Sequence, residues 1–184
     1  MKKIIIVPVI TMIYGLLNIP GVFGQPTQDF AIAVPRIQEI DTLRDDRDSY
    51  VPANKKDLNS INIRVVRAFM KDFKDAENVS WFKAANGGCT AQFIQDSVQI
   101  TSRYSSNGTW SYTLKRYAEK RMSADLRTLV KSSFFDYAIQ EVVEILLPNE
   151  EEIIYRIMIK NGDEFKILMI CSGEFKVINE YSQP

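Results

Sequence analysis

The chain reads as an α+β protein in which two amphipathic helices, each followed by four short strands, build one antiparallel sheet with both helices on the same face. Three observations predict this. Apolar residues recur at helical spacing in two stretches, Ile61, Val65, Phe69, Phe73 and then Leu126, Leu129, Val130. Eight short runs with strand-like alternation follow them, four after each helix. The order helix, four strands, helix, four strands is an internal duplication of architecture, with halves at about 59–118 and 119–183. Each helix has one apolar stripe and so needs one sheet to cover it, which puts both on one side.

The elements follow in chain order. Lys2 and Lys3 give a positive start, Ile4 to Ile19 an apolar run, and Gly21-Val22-Phe23-Gly24 the short side chains that a signal peptidase reads. Residues 1–24 are therefore expected to be a signal peptide cleaved after Gly24, leaving no membrane span. No cysteine follows the apolar run, so a lipid anchor is not indicated. Cleavage leaves 21 basic against 23 acidic residues, a net charge of −2. The expected location is the periplasm or outside the cell.

Residues 25–58 read as a linker, charged around Asp45-Asp46-Arg47-Asp48. Phe30, Ile32 and Val34 alternate with Ala31, Ala33 and Pro35, the pattern of an edge strand. Ser60 then caps the first helix. Strands are expected at 78–84, 89–95, 98–105 and 109–117, the second helix opens at Ser123, and strands follow at 137–147, 153–160, 165–171 and 175–181.

Turn lengths fix which rows share a face. Val98, Ile100 and Tyr104 meet Trp110, Tyr112 and Leu114 on one face only if the loop is odd, and Ser106-Asn107-Gly108 satisfies this with Gly108 in the left-handed position. The same reasoning joins Tyr155, Ile157 and Ile159 to Phe165, Ile167 and Met169 through Lys160-Asn161-Gly162.

Chemistry is bounded by what the 184 residues contain. Acidic and basic residues balance at 23 each with no basic stripe, which argues against nucleic acid as partner. No histidine is present, removing the commonest general base and metal ligand. No Ser, Lys, Asp or Cys falls in a nucleophile-and-base pattern, so no catalytic, cofactor or metal site is expected. Asp45, Asp46 and Asp48 lack the spaced ligands of a calcium loop. Trp81 and Trp110 sit on apolar strand faces and read as core. Cys89 and Cys171 read as small buried residues in different halves of the sheet, with a disulfide as the alternative in an oxidising compartment.

The motif V-x-W (Val79, Trp81), then Y-x-x-x-G-x-W (Tyr104, Gly108, Trp110), Y-x-I-x-I (Tyr155, Ile157, Ile159) and a closing G-x-F (Gly173, Phe175) resembles the PepSY-like family of small exported bacterial proteins, related in fold to beta-lactamase-inhibitor proteins. The resemblance covers roughly residues 59–181, and the domain it defines is expected at 59–183. Met122-Ser123 stands where the family often has Leu-Pro, and residues 25–58 fall outside its pattern. It implies antiparallel sheet with helices on one face and a role in binding or inhibiting proteins. The functional expectation is a non-enzymatic extracytoplasmic protein-binding or inhibitor-like module, or alternatively an envelope accessory protein that self-associates.

The expected docking surface comes from strand alternation. If Ile153, Tyr155, Ile157, Phe165, Ile167 and Met169 face the helix, then Ile154, Arg156, Met158, Lys166, Leu168 and Ile170 face away, four apolar side chains interleaved with two cations. Phe30, Ile32 and Val34 are the intramolecular candidates to cover that patch, and a protein partner in the envelope or outside the cell is the external one.

Overall fold

A computed structural model of the chain describes residues 51–53 and 61–182. Nine strands form one open sheet in strict chain order, every neighbouring pair antiparallel. They are β1 (Val51–Ala53), β2 (Ser80–Lys83), β3 (Cys89–Gln95), β4 (Val98–Tyr104), β5 (Trp110–Tyr117), β6 (Ala138–Leu146), β7 (Ile154–Asn161), β8 (Glu164–Cys171) and β9 (Glu174–Ser182). Helix α1 (Ile63–Asp72) precedes β2, and α2 (Ala124–Ser133) precedes β6. The short β1 falls within the stretch expected to be linker. The candidate strand around Phe30, the Ser60 cap, Asp45 to Asp48 and the N-terminal segment lie outside the described residues.

Both helices start on a side-chain cap. The Asn62 side chain accepts from the Arg64 N–H at 3.0 Å, and Ser123 from the Leu126 N–H at 3.3 Å. Each buries the i, i+4 pair on its apolar stripe, Val65 with Phe69 in α1 and Leu126 with Val130 in α2. Phe69 packs on Trp81, Phe93 and Tyr104, with ring centroids 5.0–6.4 Å apart. Under α2 the ladder aligns one continuous row across five strands, Tyr117, Val142, Ile157, Leu168 and Val177. Val98 borders both helix-covered clusters, so α1 and α2 share one face of the sheet.

Four irregularities decide which side chains leave that face. The β4–β5 loop is Ser106-Asn107-Gly108, with Gly108 at φ +92° and its flanking Ser105 N–H bonded to the Thr109 carbonyl at 2.9 Å. Trp110 therefore joins Tyr104. A bulge between Arg103 and Tyr104 then reverses the parity, and the expected Tyr112 and Leu114 go to the opposite face. The β7–β8 turn is the two-residue Gly162-Asp163, closed by the Asn161–Glu164 pair, with Gly162 at φ +55°. That is the type II′ geometry, which takes Gly at its first central position and fits the strand twist. The three-residue loop at Lys160 to Gly162 is therefore incorrect, and every residue of β8 sits one face over from the expectation. The third is a bulge between Ile139 and Glu141, which keeps Ile139 under α2 and turns Glu141 outward. The fourth lies between Ile167 and Leu168, and it leaves Val177 under α2 while turning Asn179 and Tyr181 outward.

The core consequently has two sides. Besides the clusters under α1 and α2, Tyr112, Val143, Ile145, Leu147, Ile154, Met169 and Cys171 form a buried group on the outer face, away from both helices.

Candidate binding surface

The six residues expected to form one outward patch are divided by the β7–β8 turn. Arg156 and Met158 do face outward and are half-buried. Ile154 faces outward but is 3% exposed, inside the outer-face core. Leu168 and Ile170 lie under α2, opposite Ile157 and Tyr155. Lys166 is also on the helix face, where its Nζ pairs with Glu164 at 2.6 Å and Glu180 at 3.1 Å and sits 5.7 Å from the Tyr137 ring. Tyr137 donates to Glu164 at 2.6 Å. The bonds from Lys166 and then from Tyr137 hold the Glu164 carboxyl below its ordinary value, and those to Glu164 and Glu180 push Lys166 up. This is a charge cluster that closes the end of the helix-covered core.

The outer face ends instead in a different set of residues. A depression of about 270 Å³ is lined by Glu141, Arg156, Met158, Ile167 and Tyr181, one or two from each of β6 to β9. The register stacks Glu141, Met158, Ile167 and Asn179 in one row, and Lys160, Phe165 and Tyr181 in the next. Phe165 and Tyr181 stack face to face, centroids 5.1 Å apart and planes at 2°. The Lys160 Nζ lies 4.7 Å from the Phe165 ring, and the Tyr181 hydroxyl reaches the Met158 sulfur at 3.4 Å. Glu141 fixes the polar wall, holding the Arg116 Nε at 3.1 Å and the Arg156 Nη2 at 3.5 Å. Tyr181 is 40% exposed, so the aromatic wall is open to a partner.

The surface is built from Met, Tyr, Phe and Arg around one depression, the composition that marks the centre of protein–protein interfaces. Sequence reading missed Phe165 and Ile167 because it placed β8 on the wrong face, Lys160 because it assigned that residue to the turn, and Tyr181 because its face is set by a bulge in the β8–β9 ladder. The signal that recovers the first three is Gly162-Asp163 read as a II′ turn, whereas Tyr181 faces outward through the bulge between Ile167 and Leu168.

The other sequence candidates resolve as packing. Trp81 is buried against Phe69, and the Trp110 Nε1 donates to Thr113 at 3.0 Å. Cys89 lies under α1 and Cys171 on the outer face, so the sheet separates their thiols. Burial pushes the Cys89 thiol above its ordinary value, the reverse of an activated nucleophile. Among the described residues, no group of three or more His, Cys, Asp and Glu is arranged to hold a metal, and no helix is long and apolar enough to cross a membrane.

No family model matches the chain, and no curated protein matches it significantly. Solved structures do. A BLIP-like protein from Bacteroides fragilis superposes with a TM-score of 0.54 at 17% identity, covering 66% of this chain and 85% of that one. A DUF2874 family protein from Bacteroides ovatus gives 0.53 at 18% identity, over 65% and 85%. A protein from Bacteroides eggerthii, provisionally described as periplasmic, gives 0.53 at 15% identity, over 66% and 88%. None of these three carries the PepSY description. At these identities the likeness is one of fold, and the fold is BLIP-like.

Proposed function

We propose that this chain is a non-enzymatic, extracytoplasmic protein-binding module that docks its partner at the open end of the outer face, on Arg156, Met158, Lys160, Phe165, Ile167 and Tyr181. The observation that carries this reading is the depression framed by Met158, Ile167 and Tyr181 with the Glu141–Arg156 pair as its polar wall. Anchors of this kind supply most of an interface's affinity when a partner fills the pocket and expels water. The positive, then apolar, then small-residue start of the chain supports export with cleavage after Gly24. The fold likeness to a BLIP-like protein and to one provisionally called periplasmic agrees with that setting. The PepSY-like motifs are part of the same reading, with their Trp and Tyr positions serving the core.

The test is affinity capture from an envelope extract by the full mature chain and by a Met158→Asp, Tyr181→Asp variant. A stoichiometric heterologous protein held by the former and lost from the latter supports the reading, provided the variant unfolds as cooperatively as the parent. A second reading, self-association, has its own observation: β9 is a nine-residue strand at the edge of the open sheet. Capture of only the chain itself favours that one.

A further inference from the structure

Helix α1 buries Val65 and Phe69 against the sheet, so its solvent side lies opposite them. At about 100° per residue, five side chains fall within about 60° of that outward direction. Arg67 is central, with Arg64 and Lys71 on one flank and Ile63 and Met70 on the other. Ile63 is 58% exposed and Met70 51%, and they stand two turns apart, about 10 Å along the axis. The three cations are exposed and make no ion pair among the described residues. Asp72, the one acidic residue of the helix, lies away from them, near Tyr104.

Helix α2 shows that the fold does not require such a surface. Like α1 it has 10 residues, lies on the same sheet face and buries one i, i+4 pair. Yet it turns Ala124, Asp125, Thr128 and Ser132 to solvent. Its cations are engaged within the fold, Arg127 with Glu119 at 3.3 Å and Lys131 with the Tyr137 carbonyl. On the sheet, Lys115, Arg116, Arg156 and Lys166 also hold carboxylates. The chain as a whole balances 23 basic with 23 acidic residues, so the charge on α1 is a local concentration. An apolar stripe beside a row of unpaired cations suits a helix that lies in the plane of a lipid interface. Its apolar side chains enter the acyl boundary while long Arg and Lys stems reach the headgroups beside them.

We propose that α1 docks the protein on an anionic phospholipid surface, inserting Ile63 and Met70 and pairing Arg64, Arg67 and Lys71 with headgroup phosphates. The membrane supplies the negative charge that no neighbouring side chain provides. Met158 and Tyr181 line the depression on the opposite sheet face, so a chain held this way keeps that depression open to a partner. The docking does not depend on such a partner.

The experiment is flotation of the full mature chain with phosphatidylglycerol vesicles and with phosphatidylcholine vesicles. The chain is expected to float with the former, to stay behind with the latter, and to be released as salt rises. Arg67→Gln with Lys71→Gln lowers the partition coefficient about thirtyfold, at about fivefold per cation near an anionic surface. Lys120→Gln with Arg121→Gln removes the same two charges from exposed positions outside α1 and lowers it less than about threefold. Ile63→Ser with Met70→Ser lowers it at least about tenfold. These side chains are all exposed, so each variant keeps the parent's cooperative unfolding, which a urea titration verifies. No binding to phosphatidylglycerol, equal binding to phosphatidylcholine, equal losses in the two Gln variants, or an unmoved Ser variant overturns the proposal. Retention on an acidic peptide resin without vesicle binding assigns the surface to a protein and overturns it as well.

Discussion

Truncating Leu168 and truncating Met158 tests the face assignment of β7 and β8, because the structure puts these neighbours on opposite sides of the sheet. Leu168 is fully buried between Ile157 and Val177 beneath α2. Leu168→Ala removes packed methyl groups from a site braced by a helix and two strands, which collapses poorly, so its cost is about 3–4 kcal/mol. Met158 lines the open depression and is half-buried, so Met158→Ala costs about 1 kcal/mol or less. Urea unfolding of each variant measures both. With a slope of about 1.5–2 kcal/mol/M, Leu168→Ala lowers the midpoint by about 2 M and Met158→Ala by about 0.5 M or less. Equal shifts, or a larger one for Met158→Ala, would mean that the β7–β8 turn has the odd length and that the faces are reversed.

Thr113→Val removes the acceptor of Trp110 Nε1 and the partner of buried Ser102, 2.9 Å away, and is expected to cost about 1–3 kcal/mol in the same assay. Gly108→Ala places a Cβ 2.9 Å from the Arg64 backbone at φ +92°, where the β4–β5 hairpin meets the start of α1, and a loss of about 2 kcal/mol or more is expected. Burial raises the phenols of Tyr104 and Tyr155, and burial followed by the bond to Glu144 raises that of Tyr117. The folded state then keeps protons that the unfolded chain releases near pH 10, so stability declines as pH rises above about 10. A pH series of thermal midpoints checks this, and Tyr117→Phe is expected to shallow the decline.

Much of this architecture is legible from the residues. The Ser123 cap, the i, i+4 stripes and the glycine at position 108 each have one local solution, and the structure adopts it. The face of each strand is less legible, because it depends on parity, and a bulge or a turn one residue shorter inverts it without altering the alternation. In β4 the bulge at Arg103 and Tyr104 carries Tyr112 and Leu114 away from Trp110. In β8 both rows are apolar, Leu168 and Ile170 on one side and Met169 and Cys171 on the other, so composition does not choose between them. The reading assumed a single covered face, whereas the middle of this sheet is buried on both. That assumption placed Lys166, Leu168 and Ile170 in the binding patch and left out Ile167, which follows from the II′ turn at Gly162-Asp163, and Tyr181, which the bulge between Ile167 and Leu168 turns outward.

The most direct test of the proposed binding face is site-specific photo-crosslinking in the cell of origin. A light-activated side chain replaces Met158 in the full chain, and a control replaces Phe135, an apolar residue that is 81% exposed just beyond α2. The account predicts a discrete adduct with a heterologous envelope protein at position 158 and none at 135. Adducts at 135 alone, equal adducts at both positions, or none at 158 would contradict it.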